Sequence, residues 1–167
     1  MAETAVEGWL RELLLGIHDR NYFAKYLGME IVEIGRGSGA VSMLVTARHI
    51  NIREVVHGGA LVSLADMAMG LACASLGKRV VTLDLNISFM RRVREGDVVK
   101  ALARVIHKGK TTMVVSGSIL DKAENLLAKA RGTFFVTGDY MPEERLMNPE
   151  PQGQPLASRS NRDGGMV

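Results

Sequence analysis

The residue types and spacing best suited to chemistry lie between His57 and Ala68, in the stretch HGGALVSLADMA. From Ala60 to Leu76 nearly every residue is apolar or small, with no proline and with Gly70 the one internal glycine. A helix apolar on all sides belongs inside a protein, yet Asp66 sets a carboxylate in the middle of this one. An unpaired buried carboxylate is costly enough that it finds partners or shifts its pKa. Just ahead of the helix stand His57, Gly58 and Gly59, where free backbone N–H groups and the positive end of the helix dipole are presented. Donors at a helix start and a lone carboxylate in an apolar helix indicate a reaction site.

Spacing constrains how these groups meet. His57 and Asp66 are nine residues apart, which is roughly 13 Å along a helix axis at ~1.5 Å per residue. Steps of ~100° per residue also set them on nearly opposite sides. One chain therefore does not bring both to one reacting group. Two copies of the helix running antiparallel would place the start of one beside the middle of the other, giving two equivalent sites. The expectation is an obligate homodimer with shared sites.

The elements that position this helix follow from periodicity. Apolar residues at Val6, Trp9, Leu10, Leu13, Leu14 and Ile17 predict an amphipathic surface helix over Val6 to His18. Residues 21–27 read as a loop or short turn whose Tyr22, Phe23 and Tyr26 pack against one end of the core, in preference to lining a pocket mouth. Strands are predicted over residues 29–35 and 40–46 with a turn at Arg36-Gly37-Ser38-Gly39, then 79–89, 98–107, 111–120 and 126–137. Residues 47–56 form a connection without period, and the central helix spans about 60–76, ended by Gly77 and Lys78. A long antiparallel sheet curled around one buried helix, an α+β arrangement, accounts for both the strand count and the all-round apolarity of that helix. The chain divides into an N-terminal helix and loop (1–27), the sheet domain (28–140) and a Pro-rich, polar segment (141–167) expected to be disordered.

Composition narrows the function classes. The apolar fraction of 47% and charged fraction of 23% are those of a globular domain. No charge-free apolar run is long enough for a membrane span, and no signal sequence is evident, so a cytoplasmic location is the default. The single cysteine, Cys73, reads as a buried hydrophobe. A net charge of +3 with 5% aromatic residues does not point to nucleic acid. His18, His49 and His107 have no metal-ligand spacing.

Asn51, the HGG run at 57–59, Asp66 and then Thr82-Leu83-Asp84-Leu85-Asn86 together resemble the hotdog-fold acyl-CoA thioesterases, in their phenylacetic-acid-degradation (PaaI-like) branch. The resemblance runs from about Gly28 to Thr137. It implies the hotdog fold, hydrolysis of an acyl-CoA thioester without a metal or bound cofactor, and a homodimer that often pairs into a dimer of dimers. In such a site the Gly58 N–H would hold the developing oxyanion, since the absent Cβ lets the acyl group approach the backbone. Asp66 of the partner chain would activate water as general base or attack directly. Asn51 and Thr82 match the family's amide and hydroxyl; the family often has Ser at the latter place, and Thr keeps the hydroxyl. Thr82 could hold the water, and Asn51 or His57 could orient the carbonyl or thiol. For coenzyme A phosphates, Arg91, Arg92, Lys108 and Lys110 are the candidates.

Each residue also has a plainer role. Asp66 could be a structural carboxylate, His57 a helix-start residue bonded to its own backbone, Asn51 a turn former, Thr82 an ordinary strand threonine, and the basic residues a solvated rim. Met67 and Met69 read as core filler in preference to an acyl pocket, although flexible methionine would suit varied acyl chains. Two other functions fit the same residues less well. A hotdog enoyl-CoA hydratase or dehydratase would pair a His with a carboxylate, and a non-catalytic acyl-CoA sensor would not need Asp66.

Overall fold

The computed structural model describes residues 5–145. In chain order the elements are α1 (Gly8–Asp19), α2 (Tyr22–Leu27), β1 (Met29–Gly35), β2 (Ser38–Leu44), a 3-10 turn (Ala47–His49), α3 (Gly58–Ala74), β3 (Lys78–Phe89), β4 (Val98–Lys108), β5 (Thr112–Leu120), β6 (Leu126–Asp139) and a last 3-10 turn (Pro142–Arg145). The six strands form one antiparallel sheet in the order β1-β2-β4-β5-β6-β3. α3 lies across its inner face, packed against β2, β3, β4 and β5. Of the polar segment expected to be disordered, the residues beyond Arg145 lie outside the described residues.

α3 is buried because the sheet supplies apolar partners on most of its sides. Leu64, Ala68, Met69, Ala72 and Cys73 are fully buried beneath Val41, Val99, Val115 and Phe134. Truncating such a residue, Leu64→Ala for instance, would cost about 2–5 kcal/mol. The close approach depends on small residues in the strands. A Cβ added at Gly39 would lie 3.0 Å from the Leu71 side chain and 3.3 Å from the Ala68 carbonyl. α3 begins at Gly58, two residues earlier than periodicity predicts, because His57 caps it. At its other end buried Ser75 donates to the Ala72 carbonyl (2.8 Å) and accepts the Gly37 N–H (2.9 Å), tying the β1–β2 turn to the helix. Gly37 holds φ at +75°, as a tight two-residue turn requires. Burial raises the Cys73 thiol pKa to about 12, so it stays protonated and inert.

Three expectations change. Residues 22–27 form a short helix rather than a loop, started by the Asn21 side chain accepting the Ala24 N–H and stopped by Gly28 at φ +66°. Tyr22, Phe23 and Tyr26 do not pack against the core; they are 82%, 61% and 64% exposed, and only Ala24 and Leu27 of that helix are buried. The simple alternation over 79–89 is broken. β3 and β6 shift register between Thr82 and Asp84, so Leu83 is an extra residue. The bulge changes which parity faces the core: Val80 packs inward before it, Leu85 and Ile87 after it. Among the described residues no helix is long and apolar enough to cross a membrane.

β3 ends the sheet, so one of its sides has no strand beside it. Its twelve residues carry exposed Val81, Leu83 and Phe89. A long apolar edge of this kind invites another strand.

Candidate active site

The start of α3 is built by the loop before it. His49 is buried; its Nδ1 accepts the Thr46 N–H (2.9 Å) and its Nε2 donates to the Leu27 carbonyl (3.0 Å). The His49 carbonyl in turn accepts the His57 N–H at 2.7 Å. His49, which sequence reasoning set aside as a scattered histidine, is thus the brace that fixes the helix entry. His57 adopts extended backbone, and its Nδ1 accepts the Gly59 N–H at 2.9 Å. The plainer role foreseen for His57, a helix-start residue bonded to its own backbone, is the one its Nδ1 fills.

With Gly59 bonded to the His57 ring and Ala60 to the His57 carbonyl, the Gly58 N–H is left without a partner among the described residues. It opens onto a hollow of about 310 Å³ whose walls include Gly58, Leu61, Phe89, Met90, Arg91 and Arg92. A backbone donor at the positive end of a helix, opening onto a hollow lined by two arginines, suits an anion. Phe89 was read only as a strand residue and Met90 was given no role; nothing in their types marks them as walls of this hollow.

Asp66 lies half-buried on the one incompletely covered face of α3. The Thr82 hydroxyl donates to its Oδ1 at 2.7 Å. The structure therefore brings together two of the expected residues, and the bulge at Leu83 is what allows Thr82 to face the helix while the strand beyond shifts parity. A carboxylate with one oxygen held by a hydroxyl is suited to accept a proton from water or to attack an electrophile.

Other expected members stay apart within the chain. Gly58 and Asp66 are eight residues apart on one helix, about 12 Å along its axis. Asn51 turns onto its own loop, its Oδ1 accepting the Arg53 N–H (2.8 Å) and its carbonyl the Glu54 N–H (3.0 Å); this is the turn former's role. The four basic residues do not form one cluster. Arg91 follows β3, where its N–H meets the Leu127 carbonyl, whereas the Lys108–Lys110 turn lies beside Thr111, bonded to Val136 at the other end of β6. The two ends are roughly 30 Å apart at ~3.3 Å per residue. Only Arg91 and Arg92 flank the Gly58 hollow. Among the described residues no group of three His, Cys, Asp or Glu lies together as a metal site would need.

Comparison with known proteins follows the same residues. A family model described as the thioesterase superfamily matches residues 54–128, the segment from the turn before His57 into β6. The acyl-coenzyme A thioesterase PaaI of Escherichia coli is 37% identical over 128 residues, covering 77% of this chain and 91% of that protein. Its solved structure superposes with a TM-score of 0.77 at 32% identity, covering 81% of this chain and 99% of that one. Human acyl-coenzyme A thioesterase 13 is 30% identical over 78% of this chain and 96% of its own length. A hypothetical thioesterase of Streptococcus pneumoniae TIGR4, solved with coenzyme A, matches with a TM-score of 0.71 at 30% identity, over 75% of this chain and 99% of that one. That protein has also been solved with an aspartate and, separately, a threonine replaced by alanine, at positions with the same separation as Asp66 and Thr82. Sequence, sheet order and buried helix agree, and the chain belongs to the thioesterase superfamily as a hotdog-fold acyl-CoA thioesterase of the PaaI-like branch.

Proposed function

We propose that two copies pair along their free β3 edges, with the α3 helices antiparallel, and that each of two sites combines Asp66 with the partner's Gly58. The acyl-CoA carbonyl would sit between them. The Gly58 N–H would hold the oxyanion, while Asp66 acts as general base on a water or as nucleophile. Thr82 would fix the carboxylate's orientation and help seat the water. Coenzyme A would leave through the Gly58 hollow, its phosphates met by Arg91 and Arg92 of that same subunit. With β3 strands antiparallel, the Lys108–Lys110 turn of the opposite subunit would lie toward the same end, as an outer contact. His57 would contribute through its ring Nε2 and Asn51 through its amide, each orienting the carbonyl end or thiol. Neither metal nor bound cofactor has a part in this scheme, and a dimer is its minimum assembly; pairing of two dimers and a cytoplasmic setting are in keeping with it.

The observation that carries the proposal is the half-buried Asp66 carboxylate, bonded by Thr82 and standing beside a bare apolar strand edge. The test is thiol release from a panel of aryl- and alkyl-CoA esters by wild type and Asp66→Asn. Turnover by wild type, with a loss of about 100-fold or more in a folded, dimeric variant, supports carboxylate-driven hydrolysis. Equal activity of the two would make Asp66 structural. Binding without thiol release would favour a sensor, and a change in enoyl absorbance would favour a hydratase.

A further inference from the structure

The six residues of α2, YFAKYL, hold three aromatic rings in solvent. At ~100° per residue, Tyr22, Tyr26 and Phe23 follow one another round an arc of about 100°. Ala24 and Leu27, on the other side, are the residues that anchor the helix in the core. The rings therefore make one continuous ridge rather than scattered surface residues. An exposed apolar patch with a polar border marks an interaction site.

Cations border this ridge. Lys25 is exposed and lies about 60° round the helix from Tyr22. Arg48 is held against the helix from the 3-10 turn Ala47–His49. Its Nη1 donates to the Tyr26 carbonyl at 2.6 Å, and its guanidinium carbon is 5.7 Å from the centroid of the Tyr26 ring. Neither α2 nor that turn contains an acid; Asp19 and Glu30 stand on the adjoining α1 and β1. Lys25 and Arg48 enter none of the ion pairs among the described residues. Behind the ridge, Phe23 and Arg48 share a hollow of about 170 Å³ with His57, Gly59 and Ser63, so the ridge borders the start of α3.

We propose that α2 docks the protein reversibly on an anionic lipid bilayer, with its rings at headgroup depth and Lys25 and Arg48 against the anionic headgroups. A tyrosine has an apolar body and a polar tip, which suits the boundary between water and hydrocarbon. Each cation near an anionic surface strengthens attachment about fivefold. Rings and charges act together where either alone is weak. Ridge-to-ridge contact with a second copy would instead bring like charges together. In the dimer proposed above, two-fold pairing of β3 strands continues one sheet and sets both helical layers on the same side. A flat surface then meets two ridges and four such cations at once. That doubling rests on the proposed dimer; the ridge itself does not.

The experiment sediments the full chain with vesicles of phosphatidylcholine alone, or with about 30 mol % phosphatidylglycerol. Wild type is expected to bind the anionic vesicles at least about tenfold more tightly, and to come off as salt rises from ~0.1 M to ~0.5 M. A variant carrying Tyr22→Ser, Phe23→Ser and Tyr26→Ser should lose about tenfold or more of that binding. Its melting temperature should stay close to wild type, since the replaced side chains are exposed. Lys25→Gln combined with Arg48→Gln should weaken binding and flatten its salt dependence. Light scattering on the same proteins should give one molecular mass for wild type and the aromatic variant. Absence of binding, equal binding to both vesicle types, or binding that survives the aromatic variant overturns the inference. A mass that falls in the aromatic variant also overturns it, because the ridge is then covered by a second copy. The thioesterase proposal stands in each case.

Discussion

Gly58 offers a place to remove one hydrogen-bond donor with little else disturbed. Its N–H opens α3 and the residue before it is extended, with ψ at 129°. Proline is accepted at the first helical position after an extended residue, because that N–H has no helical partner. Gly58→Pro therefore deletes the donor and keeps the helix. The added Cβ would approach the Phe89 ring at 3.2 Å, and that ring is half exposed and free to yield. Exchange of glycine for proline in a compatible backbone contributes about 0.4–1 kcal/mol of stability, so the melting temperature should hold or rise. Loss of one oxyanion donor lowers kcat by about 10²–10³-fold, ~2.7–4 kcal/mol of barrier. Thiol-release kinetics should show that fall chiefly in kcat. The variant also tests sharing. In a dimer of one Gly58→Pro and one Asp66→Asn subunit, one site holds both native groups and the other holds neither. Unfolding and refolding an equimolar mixture makes about half of the dimers mixed, so about a quarter of wild-type activity should return from two nearly inactive proteins. A Gly58→Pro enzyme within about threefold of wild type would refute the donor role. Absence of recovery in refolded mixtures containing mixed dimers would refute the shared site.

Thr82→Val removes the hydroxyl that donates to Asp66; kcat should fall by roughly tenfold or more, while Thr82→Ser keeps most activity. Replacing both Arg91 and Arg92 by alanine should raise KM for CoA esters several-fold with kcat nearly unchanged, and leave esters of the phosphate-free pantetheine arm unaffected. Ser75→Ala breaks two buried bonds, one leaving the Gly37 N–H unpaired; denaturant unfolding should register a loss of about 1–3 kcal/mol. Cys73, its thiol pKa raised by burial from 9.0 to about 12, should resist alkylation at pH 8 in the folded protein and react on unfolding. Below about pH 9 the thiol is protonated in both states and adds no pH dependence. Above it the unfolded chain releases a proton that the folded chain retains, so this group lowers stability as pH rises.

What sequence pattern reveals depends on how far a signal extends. The central helix was legible because apolarity persists through 17 residues and its partners are strands with clear alternation. Asp66 stood out because it contradicts that setting. α2, only six residues long, is shorter than periodicity can register, and the aromatic residues that seemed to need burial are left outside. The bulge at Leu83 was hidden because Val80, Val81, Leu83 and Leu85 fit either parity on their own; register belongs to a pair of strands, and β6 decides it. Arg91 and Lys108 looked alike as basic residues beside turns, and only the sheet's length separates them.

The bare side of β3 has a meaning beyond placing residues. Along its twelve positions, backbone donors and acceptors alternate toward open space, a template on which any extended chain can grow. Antiparallel pairing with an identical strand ends that growth, for the two templates consume each other and no free rung remains on that side. Dilution would then withdraw two things at once, the working site and the shield against runaway association. A newly made chain would be silent until it meets its twin, and the rate at which activity emerges would follow the square of chain concentration.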